Sequence, residues 1–402
     1  MNQINARLAA AVTQAKNDPE YQAATRGLPC SLALKSGDDA ELIAWDGLPT
    51  EPGQSVRLQA PAKTWEKILC TSPPPGYQSF SAAIRFAEGF AAIGDPLSIA
   101  QALHSLERLF EILRGQIQAP DQQIDRRAIR GYYADIELPG GNTSLYIEEA
   151  GQGAPLILLH TAGADARQYH GLMSDPTLRE RWRMIAFDMP GHGRSEPLAG
   201  TAWTAPDLRR DDYLAICQAV IRQWAKQPCV LIGCSMGAAM ALYVAARSPE
   251  DVAGVVALEA PWKASGRLSP MLRHPQVNQA AHNPAYVRGL MAPQSPLPMR
   301  RAAAWIYSQG GFGVYANDLF FYSEDFDASV HLAGLDTSRF GISLLTGAYD
   351  YSARPEDSQR VAQLIPGARY RTMPDLGHFP MIENPSLLLD YLRPELARLE
   401  NR

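Results

Sequence analysis

Between residues 229 and 248 the chain runs CVLIG, then CSMG, then AAMALYVAARS, and this passage restricts the fold more than any other. An apolar run ends at Gly233 and a helical pattern starts just after Gly237. A strand can become a helix within Gly233-Cys234-Ser235-Met236-Gly237 only through a very sharp turn. Glycine supplies the close backbone approach on both sides, and the serine is forced into a strained, exposed position. The helix that follows directs its positive end at the same point, where a developing oxyanion is favoured. The string G-x-S-x-G is a weak signal alone. With a strand before it and a helix after it, it predicts that Ser235 is a nucleophile at the edge of a sheet.

The rest of the carboxyl-terminal two-thirds agrees with that sheet. Leu156–His160, Met184–Asp188, Val230–Gly233, Val255–Ala260 and Ile342–Gly347 are short apolar runs bounded by turn residues, which predicts buried strands. Amphipathic segments such as Leu208–Ala225 and Pro355–Leu364 lie between them, the pattern of βαβ units in a mostly parallel sheet. Asn384 and Pro385 predict a helix start, opening a last helix over Ser386–Leu399. Roughly 80 residues separate VVALEAP from ISLLTG, far more than a connection needs. This insert, at about 262–340, holds Trp262, Trp305, Tyr307, Phe312, Tyr315, Phe320, Phe321 and Tyr322, with Gly310 and Gly311 among them. It predicts a helical lid whose aromatic side chains largely form its own small core. Residues 1–125 lack the alternation and predict a smaller α+β domain: strand or mixed structure at Ser55–Gln59 and Gln78–Phe90, one long helix over Pro96–Arg114, and a linker at Gln118–Gln123.

Composition limits the partners. Hydrophobic residues make up 46% and charged residues 20% of the 402, a globular balance. The net charge of -5 with scattered Lys and Arg offers no footprint for nucleic acid. The first residues show no basic segment leading into an apolar run, and no stretch nears the roughly 20 apolar residues of a membrane helix. The five cysteines Cys30, Cys70, Cys217, Cys229 and Cys234 lack paired spacing, so free thiols and a cytoplasmic location are expected. No zinc spacing, HExxH, phosphate-binding loop or dinucleotide fingerprint is visible, and neither metal nor cofactor is expected.

A serine hydroxyl needs a base, and the base an orienting acid, arranged on such a sheet in the order serine, acid, histidine. Of the histidines after Ser235, His274, His282 and His331 fall in the lid. His378 lies in the loop MPDLGHFPMIENP, between the last strand and the last helix, and is the expected base. Asp350, closing LLTGAYD, is the preferred acid. Glu259, closing VVALE one strand earlier, is the alternative. The oxyanion would be held by the Met236 amide and by one from the loop HTAGAD, with Ala162 the choice by position and Thr161 or Gly163 as alternatives. His160 is expected to brace that loop, His192 and Arg194 in DMPGHGRSE to be structural, and Cys234 to be buried packing.

In LLHTAG, FDMPGHGRS, GCSMG, LLTGAYD and LGHFPMIENP, from about Tyr132 onward, the chain resembles the α/β-hydrolase superfamily, the motifs standing in that family's order. Two departures are Thr161 where many relatives carry glycine after the histidine, and Ala238 where many carry a further glycine. More faintly, SVRLQAPAKTWEKIL and GDPLSIAQALHSLERLF resemble the sterol-carrier-protein type of domain. That resemblance implies a vestigial binding fold, serving as a homodimerisation surface or as an extra wall of the pocket.

Together these imply hydrolysis of a carboxylic ester of a small to medium, partly apolar or aromatic molecule through an acyl-enzyme. A serine nucleophile argues against dehalogenase and epoxide-hydrolase chemistry, whose relatives on this fold use an aspartate. Hydrolysis of a carbon–carbon bond in a ring-cleavage product is the alternative. Its acidic substrate would need a pocket arginine, for which Arg300 or Arg301 stands in the lid. A non-catalytic ligand-binding protein on the same fold is the third expectation.

Overall fold

The computed structural model describes residues 3–47, 54–115, 117, 119–120, 122–139, 141–198 and 208–400. Gln118 and residue 121 of the expected linker lie outside them. Two sheets form. The smaller contains β1 (Ser31–Ser36), β2 (Leu42–Trp45), β3 (Ser55–Ala60) and β4 (Ala91–Ile93) in the order β2-β1-β3-β4. The larger contains β5 (Arg130–Ile136), β6 (Thr143–Ala150), β7 (Ala154–Leu159), β8 (Trp182–Phe187), β9 (Cys229–Cys234), β10 (Val252–Leu258), β11 (Gly341–Gly347) and β12 (Arg369–Met373). Its order is β12-β11-β10-β9-β7-β8-β6-β5, parallel from β12 through β8 and antiparallel at β6 and β5.

The apolar runs form strands because both faces of this sheet are covered by helices. Every residue of β9 and β11 is buried, as expected of parallel strands without a wet face. Helix Met236–Arg247 packs on the same core, its first ten residues buried. The last helix spans Pro385–Glu400, and the Asn384 side chain accepts the Leu387 N–H at 3.3 Å, capping it.

Two apolar cores exist, one around the large sheet and one built from residues 8–113 with Ala285 of the lid. Two expectations for the first part of the chain are corrected. Gln78–Phe90 is not strand: Ser79 caps a helix over Phe80–Phe86, its hydroxyl accepting the Ala82 N–H at 3.1 Å. Pro96–Arg114 is not one helix but two, Pro96–Gln101 and Leu103–Arg114, joined at Ala102.

The lid comprises helices Gln279–Gly289, Leu297–Tyr307, Val314–Phe320 and Ala328–His331 between β10 and β11. It is clamped to the amino-terminal part of the chain by buried charge. Glu111 accepts from Arg108 at 2.9 Å, Arg288 at 2.5 Å and Arg300 at 3.1 Å. Glu20 pairs with Arg288 and, at 3.3 Å, with Arg301. Arg300 and Arg301 are thereby occupied at the domain interface, which corrects their expected place in a substrate pocket. Not all lid aromatics form a core either: Trp305 and Phe312 are 55% and 60% exposed. Among the described residues no helix is long and apolar enough to cross a membrane.

Candidate active site

Ser235 stands between β9 and the helix Met236–Arg247 with φ 57° and ψ −114°, a left-handed conformation that a side chain adopts only under constraint. The constraint is visible at the flanking glycines. A Cβ on Gly233 would lie 2.0 Å from the Gly237 oxygen, and one on Gly237 would lie 2.1 Å from the Leu159 oxygen. The Ser235 N–H donates to the Leu258 oxygen at 2.9 Å, tying the turn to β10.

The histidine loop touches this turn directly. The Cys234 thiol donates to the His378 oxygen at 3.2 Å, so this cysteine is buried packing and points away from solvent; burial raises its pKa well above the usual thiol range. His378 Nδ1 donates to Asp350 Oδ2 at 2.6 Å. The other Asp350 oxygen accepts N–H groups of Ser352 at 2.6 Å and Ala353 at 3.2 Å. Ser235, His378 and Asp350 are each only 3% exposed, so charge that develops there is poorly screened by water.

Glu259 is the second carboxyl of the pair, and its surroundings differ. Both its oxygens accept the Gly347 N–H, at 2.9 and 3.0 Å. Burial and the adjacent Asp350 charge raise its pKa well above the usual carboxyl range, and it is hydrogen-bonded to Asp350. Glu259 thus stands behind Asp350, whose carboxylate contacts the imidazole. Glu259, Asp350 and His378 offer ligand atoms within 4.8 Å of one another, but these atoms are already engaged in that chain of hydrogen bonds.

In the loop after β7 two of three candidate amides are taken. Thr161 N–H donates to Gln168 Oε1 at 3.0 Å, and Gly163 N–H donates to Asp318 Oδ2 at 2.7 Å. The Ala162 amide makes no hydrogen bond among the described residues. Met236 opens a helix, so its amide lacks an intrahelical acceptor. His160 braces the loop: Nδ1 donates to the Thr161 oxygen at 2.9 Å and Nε2 accepts from Met189 N–H at 3.1 Å. Burial and neighbouring His192 lower its pKa to about 4, keeping it neutral.

Four contributors are not legible in sequence. Asp318, in the lid, binds Gly163, His192 Nε2 at 2.7 Å and the Tyr213 hydroxyl. Tyr322, also in the lid, is buried beside these residues, its hydroxyl 3.5 Å from that of Ser352, whose N–H donates to Asp350. Arg267 is buried near it. Glu383 accepts the Gly377 N–H and, at 2.9 Å, that of Ala292, pinning the loop that carries His378 to the base of the lid. Only Glu383 lay in a recognised motif, and its role depends on a fold-back that spacing does not reveal. A cleft of about 50 Å³ lies between the loop and the lid, lined by Gly163, Tyr307, Gly310, Gly311 and Tyr315.

Burial raises the Glu383 pKa from 4.5 to about 8. Between those values the native state keeps a proton that the unfolded chain releases. The contribution is therefore full below about pH 4.5 and lost as pH rises through about 8. Melting temperature is expected to fall between pH 5 and 9, and more shallowly in Glu383→Gln. Parallel curves for the two proteins would show that Glu383 does not titrate this way.

Residues 154–304 match a family model described as the alpha/beta hydrolase fold. Over 113 residues the chain is 32% identical to a pimeloyl-[acyl-carrier protein] methyl ester esterase from Aeromonas hydrophila, covering 28% of this chain and 40% of that protein. The chain thus matches well under half the length of such curated relatives. A thermophilic esterase structure from Thermogutta terrifontis aligns with TM-score 0.53 at 22% identity, covering 67% of this chain and 99% of that one. The enol-lactonase structure from Burkholderia xenovorans aligns with TM-score 0.56 at 17% identity, covering 67% and 100%.

Proposed function

We propose that this chain, an α/β-hydrolase by fold, cleaves a carboxylic ester through an acyl-enzyme on Ser235. The observation that carries the reading is the 2.6 Å bond from His378 Nδ1 to Asp350, in a loop bonded to the turn that holds the serine. With Nδ1 committed to the carboxylate, Nε2 is the basic nitrogen. It takes the Ser235 proton as Oγ attacks the ester carbonyl. The Met236 and Ala162 amides receive the oxyanion, and His378 returns the proton to the leaving alcohol. Water then attacks the acyl-enzyme by the reverse sequence, with His378 again as base. The tyrosines Tyr307, Tyr315 and Tyr322 near the site suit a small to medium, partly aromatic substrate.

A fluorophosphonate probe is expected to label the wild type and not Ser235→Ala. Release of 4-nitrophenol from short acyl esters should fall in that variant by about 10⁴-fold or more. Labelling that persists without Ser235 would move the nucleophile elsewhere and favour a ligand-binding role for this fold. Decay of a dienoate substrate without ester turnover would favour carbon–carbon hydrolysis.

A further inference from the structure

Arg267 follows β10 at the start of the lid and is 8% exposed. Among the described residues no carboxylate pairs with it, and its Nη1 is buried without a hydrogen-bond partner. Every other buried arginine of the lid is ion-paired: Arg288 with Glu20 and Glu111, and Arg300 with Glu111. The surroundings of Arg267 are tyrosines. Its guanidinium lies over the Tyr286 ring, 5.1 Å from the centroid, and it interacts electrostatically with Tyr315, Tyr322 and Tyr351. Two of these phenols, Tyr286 and Tyr351, are likewise buried without partners.

A guanidinium does not shed its proton in a protein. Burying it among ring faces, with no anion, is costly unless an acceptor arrives from outside. Its guanidinium adjoins the Tyr286 ring, which in turn meets the Tyr351 ring with centroids 6.4 Å apart, so an unpartnered N–H and two unpartnered O–H groups belong to one cluster of side chains. Tyr322 links that place to the chemistry, since it lies within the electrostatic reach of Arg267 and its hydroxyl is 3.5 Å from that of Ser352, whose N–H donates to Asp350. On the outer side stand residues of the amino-terminal part, Phe86 packing on Tyr351 at 6.1 Å and Arg85 lying 5.8 Å from the Tyr286 and Tyr351 rings.

We propose that Arg267, with Tyr286 and Tyr351, forms a carboxylate-binding subsite, and that the substrate is an ester carrying a free carboxylate besides the bond that is cleaved. The proposal rests on the ester-hydrolase reading of Ser235. A planar carboxylate matches the guanidinium fork, and the unpartnered Tyr286 and Tyr351 hydroxyls are donors for it. The first 125 residues then act as a wall of the substrate pocket.

The test uses two matched pairs of substrates with the full-length protein. Hemiglutarate and valerate esters of 4-nitrophenol place the charge on the acyl side. 4-Acetoxybenzoate against phenyl acetate places it on the alcohol side. In one pair the carboxylated member is expected to be preferred about tenfold or more in kcat/KM, the scale of one hydrogen bond to a charged group. Arg267→Met should collapse that preference, mainly through KM, and Arg267→Lys should restore part of it. Glutarate should inhibit competitively at millimolar concentration, and inorganic phosphate should not.

A preference near one in both pairs would overturn the proposal, as would an equal loss on charged and neutral members in Arg267→Met. Inhibition by phosphate but not glutarate would replace the carboxylate with a phosphate. If Arg267→Met fails to fold, the wild-type preference and glutarate inhibition still decide. Failure of the ester-hydrolase reading looks different: no fluorophosphonate labelling and no turnover of any ester. A glutarate-induced rise in melting temperature, lost in Arg267→Met and partly kept in Arg267→Lys, would still report the subsite.

Discussion

Asp350→Asn is expected to lower kcat on a 4-nitrophenyl ester by about 10³–10⁴-fold with the fold intact, whereas Glu259→Gln should cost no more than about tenfold. The asymmetry follows from the protonation of the pair. Asp350 accepts the hydrogen bond from His378 Nδ1–H, and an amide there would favour the wrong tautomer and remove the charge that stabilises the imidazolium. Burial and Asp350 raise the Glu259 pKa, favouring a protonated carboxyl that donates to Asp350 and accepts the Gly347 N–H. Glutamine supplies both functions. Steady-state kinetics with thermal unfolding as the fold control decides the matter. A thousandfold loss in Glu259→Gln, with Asp350→Asn near wild type, would exchange the two roles.

The second large effect concerns stability. Asp318→Ala is expected to destabilise the protein by about 3–5 kcal/mol, because it strands a charged partner in the interior. His192 donates Nδ1 to the Pro190 oxygen at 3.1 Å and Nε2 to Asp318 at 2.7 Å, so both nitrogens carry protons. Burial opposes that charge, yet the facing Asp318 carboxylate raises the His192 pKa, and the Asp318 pKa is lowered in return. The His192 contribution is present below about pH 6.5 and lost as pH rises through its raised pKa. The Asp318 contribution is present above about pH 4 and lost as pH falls through its lowered pKa. Denaturant unfolding at pH 6 should therefore show the full loss. Asp318→Asn should lose less, since it keeps an acceptor for Gly163 N–H. A loss under about 1 kcal/mol in Asp318→Ala would remove Asp318 as the brace of the loop at Ala162.

Much of the site was readable one position at a time because its signals are local. A strand, two glycines, a serine and a helix are contiguous, and their steric demands are met by residues a few places apart. His378 was legible because loops that follow parallel strands share one edge of the sheet, so chain order translates into location. The same rule placed Asp350 and Glu259 at that edge and could not separate them, since each ends a strand. In the first domain local pattern misled. Ser79 capping makes a helix where strand or mixed structure was expected, and the core packing that decides such cases lies far along the chain.

The sequence by itself determined the sheet, the strained Ser235 and the edge on which its partners stand, because each rests on backbone sterics and short-range periodicity. Only the tertiary structure decided which carboxyl faces His378, and which amide of the loop is left unengaged. It alone shows that Arg300 and Arg301 are consumed by Glu111 and Glu20 while Arg267 is not. Charge pairing depends on which distant residues are brought together. A chain written in one dimension carries the charges of these arginines but not their neighbours.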